Sequence, residues 1–378
     1  MWRTAGPCRL APLAQGLFFL CLAFVVLLGS YAHAASNDLA GWVASVNGEL
    51  ERSESGDIVA VDLTSAWVSD DDLDLLAATP TLERINLSHT WITDLGLERL
   101  RALENVRELN LFYCDYLTDA AVLPLKGWKN LEVLNLEGTD VTSRSFEHLA
   151  NITSLKSLRV GFSRVEDAGF ENLGPLTLLE EFGFGGNKMS GRALPLLKML
   201  PSLRKVDLGG LQRTDSGLWG MALSDFNVDG LAELAQLEVL ALHDTDVGDA
   251  GLRELTGLTQ LKEIDLSGTK VSPKGLESLA GMSRLKKLRL WRAERVDDQV
   301  AKALLKLKAL EIADLAETGI GDSGLLELSS SASLRQVLVG GSEVTPDGVT
   351  HFRRQNPNCE ITWWPKPADV ERYQNIAP

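Results

Sequence analysis

Residues 237–260, LEVLALHDTDVGDAGLRELTGLTQ, and residues 261–284, LKEIDLSGTKVSPKGLESLAGMSR, align position for position. Each opens on the pattern L-x-x-L-x-L, with Leu237, Leu240 and Leu242 in the first block and Leu261, Ile264 and Leu266 in the second. Apolar residues two apart in so short a stretch mark a half-buried strand. Each block then reaches a Gly-Leu pair, Gly251-Leu252 or Gly275-Leu276, and a further leucine three residues on gives a short helix one apolar face. A unit of strand, turn, helix and turn in 24 residues cannot bury that face alone, so copies must stack to make a core.

Working outward, the register holds almost throughout. Upstream cores read Leu82-Ile85-Leu87, Val106-Leu109-Leu111, Leu131-Leu134-Leu136, Leu155-Leu158-Val160, Leu179-Phe182-Phe184 and Leu203-Val206-Leu208. Downstream come Leu285-Leu288-Leu290, Leu310-Ala313-Leu315 and Leu334-Val337-Val339, and Ile58-Val61-Leu63 begins the series. A period of this length, kept over about a dozen units, predicts an α/β leucine-rich-repeat solenoid: a curved horseshoe with a parallel sheet on the concave face and short helices on the convex face. The repeats span residues 58–358.

A second motif, roughly T-x-V-T-D-x-G-L, follows each strand, as in Thr90 to Leu97 and Thr318 to Leu325. The hydroxyl or carboxylate before Gly-Leu suits a helix N-cap, and an acid in the first turn suits the helix dipole. The residue opening this motif reads Ala66, Thr90, Cys114, Thr139, Ser163, Asn187, Leu211, Thr245, Thr269, Ala293, Thr318 and Ser342. It is expected to point inward and bond the backbone of the neighbouring turn, which makes Cys114 a rung rather than a nucleophile.

These units resemble the bacterial leucine-rich-repeat proteins related to the cysteine-containing class of F-box proteins, whose repeats are of the ribonuclease-inhibitor-like kind. Two units keep the longer form of that class, Cys114 to Asp119 and Ala293 to Asp298. The resemblance covers about residues 58–362 and implies a scaffold rather than a chemistry. No F-box precedes the repeats, so a ubiquitin-linked role does not carry over.

The ends complete the organisation. Arg3 and Arg9, the apolar run Gly16 to Gly29 and Ala32-His33-Ala34 read as an export signal cleaved after Ala34. The run is shorter than the roughly 20 residues of a membrane-spanning helix, so no stable span is expected after cleavage. Residues 35–57 read as a cap of helix plus hairpin strand, and residues 359–378 as a last strand and tail. Trp42, Trp363 and Trp364 are expected to pack within these caps. Cys8 and Cys21 leave with the signal; Cys114 and Cys359 lie at opposite ends of the array, so both are expected to be free. The absence of cysteine-rich caps points to a bacterial periplasm or secreted milieu.

The whole chain carries a net charge of −15, which becomes −17 on losing Arg3 and Arg9. That balance argues against nucleic acid and anionic lipid as partners. No metal-ligand spacing, nucleophile elbow or phosphate loop appears, so neither a cofactor nor a metal is expected, and the chain reads as a non-enzyme. What remains is a binding surface for a protein partner. Three patches stand out on the concave face or its rim. Trp67, Trp91, Phe112, Tyr113 and Tyr116 gather near the N-terminal end. In the middle, Gly183, Gly185 and Gly209, with Gly161, Gly186 and Gly210, leave the face bare for close approach of a partner's loop, beside His243. An aromatic insertion near 211–227, carrying Trp219 and Phe226, adjoins them. Trp291, flanked by Arg289 and Arg292, makes the third. The alternative is a structural or glycan-binding envelope component, with Trp67 and Trp91 stacking on cell-wall sugar rings.

Overall fold

The computed structural model describes residues 39–214 and 217–366. The expected leader and the tail beyond residue 366 lie outside the described residues, as do the side chains of residues 213–219. A short helix, α1 (Leu39–Ser45), leads into β1 (Glu49–Arg52), which pairs antiparallel with β2 (Ile58–Asp62). Three-residue strands then follow once per repeat: β3 (Arg84–Asn86), β4 (Glu108–Asn110), β5 (Val133–Asn135), β6 (Ser157–Arg159), β7 (Glu181–Gly183) and β8 (Lys205–Asp207). A hairpin of β9 (Leu211–Thr214) and β10 (Gly217–Gly220) intervenes, after which come β11 (Val239–Ala241), β12 (Glu263–Asp265), β13 (Lys287–Arg289), β14 (Ile312–Asp314), β15 (Gln336–Leu338) and β16 (Glu360–Thr362).

Fourteen of these strands form one open sheet in the order β1 to β8, then β11 to β16. Every pair after the first is parallel and in register, so Val61, Ile85, Leu109, Leu134, Leu158, Phe182, Val206 and Leu240 form one row that continues to Ile361. All are buried, and each fully buried Leu or Phe contributes about 1.5–3 kcal/mol. Short α- and 3-10 helices form the opposite layer; Asp94–Arg99, Asp249–Glu254 and Pro346–Gln355 are α-helical, whereas Asp119–Val122 and Asp167–Asn172 are 3-10 turns.

The Thr-Asp and Gly-Leu elements of the motif act between repeats. The N-cap of Asp94–Arg99 is Thr93, not the residue adjoining Gly-Leu. Where an aspartate follows the cap it accepts hydrogen bonds from the next repeat: Asp94 from the Thr118 backbone N–H and hydroxyl (2.8 and 2.6 Å), Asp249 from those of Ser272 and Asp322 from those of Thr345. Where the cap is glycine, the aspartate reaches two backbone N–H groups instead, as Asp225 does to Gly248 and Gly251 at 2.6 and 2.8 Å. The motif glycine makes room for it: a Cβ on Gly348 would stand 1.9 Å from the Oδ1 of Asp322.

The inward rungs differ from expectation in where they bond. Thr90, Thr139, Thr245, Thr269, Thr318 and Ser342 donate to a carbonyl three residues back in their own repeat. Cys114, Ser163 and Asn187 reach the neighbouring repeat, to the carbonyls of Leu87, Leu136 and Val160. The longer Asn187 amide and the larger Cys114 sulfur reach across, and Ser163 does so in a different rotamer from Ser342, whose hydroxyl stays within its own repeat. Leu211 is no rung at all; it is half exposed because the chain leaves the repeat there to form the hairpin.

Of the stretch 211–227, within which about ten extra residues are expected, only the first part leaves the repeat. The β9–β10 hairpin occupies 211–220 and stands outside the main sheet. By Met221 the repeat has resumed: Leu223 is buried in the core, and Asp225 caps the next unit. Phe226 therefore belongs to the helical side, one residue past that aspartate, where Leu95 stands after Asp94.

Candidate interaction surface

In the parallel strands the residues on either side of the buried central one lie on the solvent side of the sheet and are at least partly exposed, except the buried Gly183. Aspartate and asparagine recur after the central residue for a local reason: their side chains accept the backbone N–H two residues on, as Asn110 does from Phe112 (3.1 Å) and Asn135 from Glu137 (2.9 Å). This Asx turn steers the chain off the strand. Three residues beyond the Asx position, one residue per repeat adopts the left-handed conformation. Five of these are glycine in Gly138, Gly186, Gly210, Gly268 and Gly341, but others are Ser65, His89, Tyr113, Phe162, Asp244, Arg292 and Glu317, with φ between 52° and 58°. For a bulky side chain that conformation costs about 1–2 kcal/mol. The glycines at one register position were the sequence signal for it, and it was missed.

The turn conformation sets out the N-terminal aromatic residues. His89 and Tyr113 stack at 5.5 Å and 11°, and Phe112 meets each of them edge-on, at 5.2 and 4.6 Å. Past the inward rung, the chain presents Trp67, Trp91 and Tyr116 in successive repeats. The rings of Trp67 and Trp91 are parallel within 5° at 6.1 Å, and Trp91 lies 6.0 Å from Tyr116. Trp67 is 84% exposed, Trp91 60% and Tyr116 53%. The structure thus sorts the five aromatic residues of the first patch into two ring groups in the first repeats, Trp67–Trp91–Tyr116 and Phe112–Tyr113, and adds His89 to the second.

Beside this cluster the sheet from β1 to β7 forms a trough of about 790 Å³. Among its lining residues are five acids, Glu49, Glu51, Asp62, Glu108 and Glu181, and only two bases, Arg84 and Arg159. Both bases are already engaged, Arg84 by Glu51 and Arg159 by Glu181 at 2.5 Å and Glu137 at 3.7 Å. Burial holds the Glu137 carboxyl above the usual range, against the opposing pull of Arg159.

The middle of the face departs from expectation. Gly183, Gly185 and Gly209 are buried, as are Gly161, Gly186 and Gly210. Neighbouring side chains fold into the space that the missing Cβ atoms leave: the Phe162 ring lies over Gly186 and Gly210, the His243 ring over Gly209, and Arg159 against Gly183. Gly185 instead abuts the backbone of Gly209. No bare backbone is offered there. His243 itself contacts Asp244 at 3.1 Å and Asp207 at 3.8 Å. Trp219 falls in β10, and its side chain lies outside the described residues. Phe226 is 95% exposed but lies beside Gly191, Arg192 and Pro195, apart from the sheet. In the third patch Trp291 is partly exposed with the Arg292 guanidinium 5.1 Å over its ring, while Arg289 is held by Glu263 at 2.6 Å and Asp265 at 3.4 Å.

Chemistry has little to work with. Cys114 is wholly buried, and burial pushes its thiol up; Cys359 is pushed up to about 11 for the same reason. Among the described residues no group of three or more His, Cys, Asp or Glu side chains could hold a metal, and no helix is long and apolar enough to cross a membrane.

The comparisons agree with this geometry. The family model for leucine-rich repeats matches residues 79–100 and 257–280. Among solved structures, an internalin (inlF) from Listeria monocytogenes superimposes with a TM-score of 0.57 at 16% identity, over 86% of this chain and 94% of that one. The fold is a leucine-rich-repeat solenoid. A leucine-rich-repeat protein of Leptospira interrogans aligns with a TM-score of 0.47 at 16% identity, over 76% of this chain and 80% of that one. PEPR1–AtPEP1 aligns at 0.39 and 17%, over 83% and 49%. No curated protein matches the sequence. In leucine-rich-repeat terms, the aromatic cluster occupies the first three repeats and the trough the first half of the concave sheet.

Proposed function

We propose that this chain is a non-catalytic scaffold, exported to the bacterial periplasm or beyond, that binds a protein partner through the N-terminal half of its concave face and the aromatic rim beside it. Leucine-rich-repeat proteins generally serve as protein-interaction scaffolds, which supports the class of function. The leader-like first 34 residues and the motif's resemblance to bacterial relatives of the F-box-associated repeats support the location. The observation that carries the reading is the exposure of Trp67, Trp91 and Tyr116 in one continuous row. Isolated surface apolar residues need no explanation, but three large aromatic side chains side by side are a docking surface more than a solvated one.

The test is affinity capture from an envelope extract of the source organism, with the wild-type protein beside a Trp67→Ala, Trp91→Ala variant. A protein retained by the first and lost by the second supports the reading. Equal recovery by both moves the surface elsewhere, and recovery of glycan alone favours the envelope-component alternative, for which the parallel Trp67 and Trp91 rings offer a sugar-stacking platform.

A further inference from the structure

We infer that the partner presents a cationic, extended polypeptide segment, whose arginine or lysine side chains are received by the aromatic rim and the carboxylates of the trough. The inference rests on the protein-binding reading and names the chemistry of what is bound.

Three observations converge. The trough's own bases are spent on its own acids: Arg84 on Glu51, Arg159 on Glu181 and Glu137. Glu49 and Glu108, by contrast, enter no ion pair among the described residues. The next observation is continuity. Asn110 lines the trough and accepts the Phe112 N–H, and Phe112 leads directly into the Tyr113–His89 stack. Asp115, also exposed and unpaired, then stands beside Tyr116 at the end of the Trp67–Trp91 row. Aromatic faces attract cations through their ring quadrupoles, most strongly for tryptophan, and adjoining carboxylates add to that field. The chain shows the pairing on itself at Arg292 and Trp291.

The last observation is contrast along the same sheet. At β12 and β13 the acids Glu263 and Asp265 are answered by Lys287 and Arg289. In the trough, by comparison, Arg84 and Arg159 answer Glu51, Glu137 and Glu181, and Glu49 and Glu108 have no ion-pair partner among the described residues. A neutral glycan would cover the rings but add no charge to answer Glu49, or Glu108 beyond the field of Arg84, and an anionic partner would be repelled. Seven strands at about 4.8 Å spacing span roughly 29 Å, which an extended segment of about nine residues crosses.

The experiment uses the full protein and a fluorescent decapeptide of alternating arginine and alanine, with a glutamate–alanine decapeptide and an N-acetylglucosamine oligosaccharide as comparison probes. Saturable binding of the arginine peptide alone is expected. It should weaken at least about tenfold in Trp67→Ala, Trp91→Ala, in Glu49→Gln, Glu108→Gln, and on raising salt from about 0.05 to about 0.5 M. Trp291→Ala, at the far end of the face, should leave it unchanged. All these side chains are outside the buried core, so matched thermal unfolding will show that the variants fold. Equal binding of both peptides, retention in the tryptophan or glutamate variant, or binding of the oligosaccharide alone would overturn the inference. If a protein partner is captured through Trp67 and Trp91 but the arginine peptide neither binds nor competes, the cationic segment is wrong and the scaffold reading stands. Loss of tryptophan-dependent capture sinks the scaffold reading on its own evidence.

Discussion

The aspartate that links one repeat to the next gives the sharpest test of how this solenoid is held together. Asp322 receives the backbone N–H of Thr345 at 2.8 Å and its hydroxyl at 2.7 Å, and Thr345 in turn accepts the Gly348 N–H at the start of Pro346–Gln355. Hydrogen bonds to an ionised acceptor contribute about 1.5–3 kcal/mol each. Asp322 is half-buried, so water replaces part of what Asp322→Ala removes. We expect a loss of about 2 kcal/mol in total. Gly348→Ala places a methyl 1.9 Å from Oδ1 and 2.5 Å from Cγ of Asp322, so the carboxylate must leave. The same bonds are lost, about 1–2 kcal/mol of overpacking is added, and about 1 kcal/mol of helix propensity is regained, for a net cost of about 2–3 kcal/mol.

The double variant decides the matter. Without the carboxylate, the remaining contact is the residue-322 Cβ at 3.2 Å, which is tight but tolerable. Asp322→Ala, Gly348→Ala should then cost about 1–2 kcal/mol instead of the roughly 4–5 kcal/mol of simple addition. Repeat arrays need not unfold in one step. The readout is therefore urea unfolding together with amide exchange in β15 and β16, where the loosened interface lies. Additivity within about 0.5 kcal/mol would refute the claim that the motif glycine exists to seat the preceding aspartate.

Three further outcomes are expected. Cys114 and Cys359, buried and with thiols pushed up, should resist a thiol reagent at neutral pH and react only once urea opens the repeats; rapid native labelling would contradict the burial. Glu137 has its folded carboxyl raised by burial, so its contribution to stability is present below its ordinary pKa of about 4.5 and is lost as pH rises through the raised value. Glu137→Gln should flatten that decline in a urea-midpoint series from acid to neutral pH, and an unchanged slope would rule it out. Phe162→Gly relieves a left-handed phenylalanine at φ 52° but uncovers Gly186 and Gly210. Lost ring packing of about 3–5 kcal/mol exceeds the relief of about 1–2 kcal/mol, so calorimetry should show net destabilisation.

The repeat core was readable because its leucines do nothing but alternate and recur; each central strand residue faces the same apolar interior, and periodicity reports that directly. The aromatic patch was readable for the converse reason. Trp67, Trp91 and Tyr116 fall just past an inward rung, where the repeat turns its next side chain out. What failed was inference about empty space. A run of glycines says that side chains are missing, not that nothing moves in to replace them, and Phe162 and His243 come from repeats on either side. The insertion's downstream edge was not legible because Leu223-Ser224-Asp225 carries no threonine or glycine to advertise the motif, though the aspartate and its spacing to Gly248 were there to be seen.

That failure and that success narrow the candidate surface by subtraction. The glycine-rich middle of the face is closed by its own neighbours, and Arg289 is bound by Glu263 and Asp265. Phe226 faces the helical side. Among the described residues the first repeats alone gather several exposed rings in mutual contact, and Tyr113 joins them from a left-handed backbone position that five other repeats give to glycine. Strain alone does not name a function. Here it coincides with exposure, with ring-to-ring contact across three repeats and with two carboxylates left unpaired in the adjoining trough. No packing requirement of the solenoid calls for that combination, since later repeats fold on the same register without it. A partner that covers the rings and answers the carboxylates would account for all of it at once.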